Sequence, residues 1–187
     1  RYILMNIPSG TSLDPPQNVQ NEAARWLLHE LDLLIGKTRQ GLEAFRLSEV
    51  IDNLRRFFWG TFCDWYIELI KPHLSEEDDK YANEIKATCS FILDSILISL
   101  HPFMPFITEE IWQNLKKRDN PLIIQKWREI SLLDNHNNLS NEINELIEII
   151  TNIRSIRVEL NIKPKEKLAI EVINNSEALK IKNLDFY

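Results

Sequence analysis

Glycine is scarce here, with four residues in 187, and so few leave no room for a glycine-rich loop that cradles phosphate on closely approaching backbone. Cysteine is scarcer still. Cys63 and Cys89 both fall within apolar helical runs, which predicts two buried thiols, no disulfide framework and a reducing, cytoplasmic compartment. No apolar run reaches the roughly 18 residues of a membrane span, and the first residues lack the charged-then-apolar order of a signal peptide. Positive charge is not in excess either. A net charge of −6 excludes a sequence-blind nucleic-acid binder held by bulk charge. His29, His73, His101 and His136 stand at no ligand spacing from one another or from the cysteines, and no Glu-x-x-His pair occurs, so no metal site is expected.

What is present is apolar surface. Hydrophobic residues make up 44% of the chain, ample for the core of one domain or of one domain with a small appendage. The densest stretch runs from Arg55 to Pro72. At helical spacing Ile51, Leu54, Phe58, Phe62, Tyr66 and Leu69 form one apolar stripe, widened by Trp59, Cys63 and Ile70, which predicts a helix at the centre of a bundle and core packing for its tryptophans and phenylalanines. A narrow polar ridge, Asp52, Arg56, Gly60, Asp64 and Glu68, is left to face solvent or a ligand. Ser48 is placed to cap this helix, and Lys71 followed by Pro72 marks its end.

Along the rest of the chain, Arg1 to Met5 reads as the last turns of a helix cut upstream, and residues 6 to 16 have the composition of an exposed connection. A long helix follows from about Asn18 to Phe45, with Gly36 and Gly41 as weak points. Ser75 and the acids of residues 76–79 are placed to open the next helix, which carries Tyr81, Ile85, Cys89, Ile92, Ile96 and Leu100. Asp94, inside its apolar end, demands a partner that the sequence does not name. His101-Pro102 breaks that helix and Pro105 suits the first turn of another reaching about Leu115, so the two form a corner. Residues 121–127 read as a short extended or irregular run and residues 134–138 as a loop. Ser140 is placed to cap a helix whose face is marked by Ile143, Ile147, Ile150 and Ile153. After Asn161 the period changes, and residues 168–173 look like a strand, with a further helix at 177–184. The expected fold is therefore mainly α, a helical bundle over residues 1–135 and, over 136–187, a helix with a small α/β appendage.

Several separated segments carry a resemblance. They are Arg25-Trp26-Leu27-Leu28, Phe57-Phe58-Trp59 with Phe62-Cys63-Asp64-Trp65-Tyr66-Ile67-Glu68, the corner His101-Pro102-Phe103-Met104-Pro105-Phe106-Ile107-Thr108-Glu109-Glu110-Ile111-Trp112, and Ile153-Arg154-Ser155-Ile156-Arg157. In this order they resemble the anticodon-binding region of class I aminoacyl-tRNA synthetases, and among them the valyl-tRNA synthetase family, over Arg1 to about Val172. The corner is shared by the valyl, leucyl and isoleucyl relatives, and the Phe-Cys-Asp-Trp-Tyr run points to valyl. The catalytic signatures His-Ile-Gly-His and Lys-Met-Ser-Lys-Ser are absent from this chain. The resemblance thus implies a tRNA-binding module with no cofactor of its own, whose catalytic domain, using ATP to join valine to its tRNA, is a partner elsewhere in the same polypeptide, and which acts as a monomer.

The same resemblance implies site residues. In relatives an Arg followed by Phe or Tyr on the first bundle helix meets the anticodon, which here gives Tyr2 and Arg1. Stacking an unpaired base on an aromatic ring is worth about 1–3 kcal/mol. For Tyr2 the plainer reading is an aromatic packed at a helix end. His73 occupies the place where a methionyl relative has a stacking Trp after a Pro, although the residue type differs. The basic tail holding Arg154, Arg157 and Lys163 is suited to phosphate contacts, or is simply a solvated helix face and turn. The rival from another class is a helical protein-interaction domain that docks a helix on its exposed ridge, with RNA irrelevant.

Overall fold

The computed structural model describes residues 2–8, 11–75, 80–128, 137–163 and 166. Every regular element among them is helical, which bears out the mainly α class. The strand expected at 168–173 and the helix expected at 177–184 lie outside the described residues, as does most of the loop expected at 134–138. The chain divides into two units, Arg1–Asn144 and Glu145–Tyr187.

A short helix, α1 (Tyr2–Asn6), leads through the connection to α2 (Glu22–Glu43). Asn21 caps α2, its side-chain oxygen accepting from the Ala24 amide at 2.9 Å. A carboxylate arrives from far along the chain: Glu84 accepts from the Gln20 and Asn21 amides at 3.0 and 2.7 Å, beside the positive end of the helix dipole. Helix α2 runs unbroken through Gly36 and Gly41. At Gly41 the lack of a side chain is used, because a Cβ there would stand 2.5 Å from Cγ2 of the buried Val50 on the next helix. The helix closes with the Phe45 amide donating to Leu42 and the Arg46 amide to Gly41, a paired cap that puts Phe45 in the left-handed region at φ 56°.

Next come α3 (Leu47–Arg56), a π-helical stretch (Phe57–Tyr66) and α4 (Ile67–Ser75). The buried positions are Val50, Leu54, Phe57, Phe62, Tyr66 and Ile70. The five-residue step from Phe57 to Phe62 is the wider i→i+5 turn of the π stretch; Leu54, Phe62 and Tyr66 of the expected stripe are buried, but Phe57 takes the core place expected for Phe58. Trp59 is therefore 58% exposed rather than in the core, and Ile51 is exposed as well. Phe58, Phe62 and Tyr66 stack in series at 6.3 and 6.0 Å.

Two expected boundaries are also corrected. Helix α3 begins at Leu47, so Ser48 lies inside it, and α4 continues through Pro72 to Ser75. Proline removes one backbone bond and crowds the Glu68 carbonyl. With Ile70 fully buried and α4 packed on the helix that follows, tertiary contact outweighs that local preference.

That following helix, α5 (Ala82–Leu100), begins after Tyr81 rather than at Ser75. Fourteen of its nineteen residues are buried, and it touches α2, α3, α4 and, past the corner, α6 (Pro105–Leu115), so α5 is the centre of the bundle in place of the expected 55–72 stretch. Cys89 is fully buried, which pushes its thiol up to about 12, and it lies beside the buried Tyr66 hydroxyl, itself raised by the same desolvation. Cys63 is only half-buried.

Pro105 opens α6 as expected, and a 3₁₀ turn (Leu122–Ile124) follows within extended backbone. The last described helix, α7 (Asn137–Glu159), starts three residues before Ser140. Ser140 is therefore no cap; it is buried and donates to Glu30 of α2 at 2.6 Å, while the Trp26 indole donates to Asn144 at 3.3 Å. Among the described residues no helix is long and apolar enough to cross a membrane.

Candidate nucleic-acid interface

Tyr2 is the first residue of α1, and Arg1 lies outside the described residues. Beside Tyr2, Ile3 is buried and turns into a groove of about 360 Å³. Met5, Asn6 and Ile7 continue that wall, with Ser90 of α5 and Asn114 and Leu115 at the end of α6 opposite. The helix that the resemblance marks for base stacking thus shares a groove with the end of α6.

His73 sits half-buried in the last turn of α4, just after Pro72. Its ring meets Tyr81 edge to face, with centroids 6.0 Å apart and planes at 86°. That gives the imidazole an aromatic neighbour within the chain, on the link between α4 and α5.

The corner is held by polar contacts. The His101 imidazole lies 2.8 Å from the Thr108 hydroxyl, which also donates to the Met104 carbonyl. Glu109 accepts from the Gln113 amide at 2.8 Å and from the Leu122 backbone at 2.7 Å; these bonds hold its carboxyl below the usual range and tie the 3₁₀ turn to α6.

Asp94, with no exposed surface, finds the partners its burial demanded. Arg118 donates to one oxygen at 2.5 Å and Arg128 to the other at 2.6 Å, while the Trp112 indole donates to the first at 2.7 Å. The Arg118 guanidinium also lies 3.7 Å from the centroid of the Trp112 ring. Two cations on one carboxylate fix both sides of the segment between them to α5.

In the second unit, Arg154 and Lys163 are exposed, and Arg157 is half-buried. Arg157 donates to the Lys163 and Glu166 carbonyls at 2.5 and 2.9 Å, so it holds the turn after α7. Asn161 stands in the left-handed conformation that ends the helix, at φ 53°. Of the expected contacts, Arg157 and Lys163 are brought together, whereas Tyr2 and His73 belong to the first unit. A second basic cluster was passed over. Residues 116–128 carry Lys116, Lys117, Arg118, Lys126 and Arg128 against Asp119, a local excess that a residue-by-residue charge count would have shown. Among the described residues no three His, Cys, Asp or Glu side chains gather as metal ligands.

Known proteins share this arrangement of sequence. The valine–tRNA ligase of Bartonella quintana (strain Toulouse) is 40% identical over 163 residues, covering 84% of this chain and 18% of its own length. That of Brucella suis biovar 1 (strain 1330) is 37% identical over 169 residues, covering 87% and 18%. That of Bartonella henselae (strain ATCC 49882) is 36% identical over 194 aligned positions, covering 100% and 21%. The chain therefore spans about a fifth of the length of these curated relatives. The family described as the anticodon-binding domain of tRNA ligase matches residues 24–173, from α2 through the corner, the Asp94 cluster and α7, and the chain belongs to that family.

Proposed function

We propose that this chain is the anticodon-arm recognition module of a valine–tRNA ligase, in which a separate catalytic domain uses ATP to join valine to the tRNA. The observation that carries the reading is the family match over residues 24–173, which spans most of the helical bundle. Tyr2, with Arg1 before it, supplies the stacking face at the start of α1, and His73 a second ring near the end of α4. Arg154 and Lys163 supply phosphate contacts, and Arg157 orders the turn that presents Lys163.

Replacing Tyr2 by Ala in the intact enzyme weakens tRNA charging about tenfold or more, in line with the loss of one stacked base, and leaves ATP-dependent activation of valine unchanged. An equal loss in both reactions rejects the role. One observation favours a second reading, a protein-docking surface: Phe106 is 90% exposed, and Met104, Ile107, Ile123 and Ile124 are exposed too. Added salt separates the two, since RNA binding weakens steeply with it and apolar docking does not.

A further inference from the structure

We propose that the segment from Lys116 to Arg128 is a preformed strap that docks the phosphate backbone of the tRNA arm through Lys116, Lys117 and Lys126. The inference rests on the tRNA-binding reading above and assigns it a surface of its own. The strap is anchored at three points: Arg118 and Arg128 turn inward onto Asp94, and between them the Leu122 amide donates to Glu109 while its side chain is buried. Anchoring leaves the three lysines as the outward charge. Each is exposed, and none pairs with an acid among the described residues.

Position supports the assignment. Leu115 and Ile3 line the same groove, so Lys116 follows directly on a residue that shares that groove with the helix bearing Tyr2. This adjacency is what lets one nucleotide strand meet both the helix and the strap in the proposed complex. An ordered strap also lowers the conformational cost of engaging that strand, which a floppy lysine loop would have to meet on binding.

Each neutralised phosphate steepens the fall of log K with log salt by about 0.9 on a duplex. The test uses the full-length enzyme and its tRNA, comparing wild type with K116Q/K117Q/K126Q across a salt series. The triple variant is expected to bind tRNA about tenfold or more weakly at low salt, with a slope shallower by about 2 to 3, and each single substitution removes about one. Lys37→Gln, an exposed lysine on α2, leaves the slope as it was, and unchanged valine activation in all variants shows an intact fold. A triple variant with the wild-type slope overturns the strap while leaving the anticodon module standing. Wild-type enzyme that fails to bind tRNA removes both.

Discussion

Asp94 gathers three side-chain donors on one fully buried carboxylate. A lone carboxylate at a site with no solvent exposure is untenable, and its three donors come from positions 18, 24 and 34 residues further along the chain. Asp94→Ala leaves two arginines beside an apolar hole, and breaking a largely buried pair in this way costs about 3–5 kcal/mol. A urea titration reads this as a large drop in midpoint; a loss below about 1 kcal/mol would mean that the arginines relax to water and the cluster adds little. Phe45 offers a gain instead. An L-residue in the left-handed region costs about 1–2 kcal/mol, and at 89% exposure its ring recovers almost nothing by packing. Phe45→Gly should raise stability by up to about 1 kcal/mol, after allowing for the freedom glycine adds to the unfolded chain, and a thermal melt measures it. Asn161, in the same conformation after α7, already has a side chain suited to it.

Between elements, the closest approach is that of α2 and α3 at Gly41. The 2.5 Å that a Cβ would leave to Val50 Cγ2 cannot be relieved by a rotamer change, because valine is stiff and this one is fully buried. Gly41→Ala should therefore destabilise by about 1–3 kcal/mol despite alanine's better helix propensity. Gly36→Ala, with nothing within 4 Å of the added methyl, should stabilise by up to about 1 kcal/mol. If unfolding measurements give both variants the same sign, the contact is not the reason for glycine at 41. These elements differ in how far the sequence revealed them. Pro105 announces the corner because its fixed φ and missing N–H act locally, and Asn161 marks the end of α7 because asparagine tolerates the left-handed conformation. The register within Phe57 to Tyr66 was hidden, since a π turn buries Phe57 in place of Phe58 while leaving composition untouched. Ser48 and Ser140 misled as caps because a serine inside a helix is indistinguishable, by type alone, from one at its start. The proposed stacking residues rest on resemblance; the basic composition of residues 116–128 is legible in the sequence, whereas their anchoring on Asp94 shows only once its partners are placed.

At the scale of the whole chain, a net charge of −6 and the proposed nucleic-acid partner are reconciled by uneven distribution. Cations gather in residues 116–128 and again from Arg154 to Lys167, while the rest of the chain is acidic. Such a molecule attracts a polyanion only where its shape brings phosphates to those places and keeps them from the acidic surface; any other approach is repelled. Uniformly charged duplex DNA has the phosphates but neither the splayed bases that stack on an aromatic ring nor the fold of a tRNA arm. The full-length enzyme should therefore hold its tRNA at near-physiological salt while a DNA duplex of similar length fails to compete, even at about a hundredfold excess, because non-specific contacts at that ionic strength are weak. Competition by fluorescence anisotropy reads the outcome. Displacement of the tRNA by DNA at equal concentration would show that bulk attraction, rather than the placing of a few cations on an acidic bundle, governs binding.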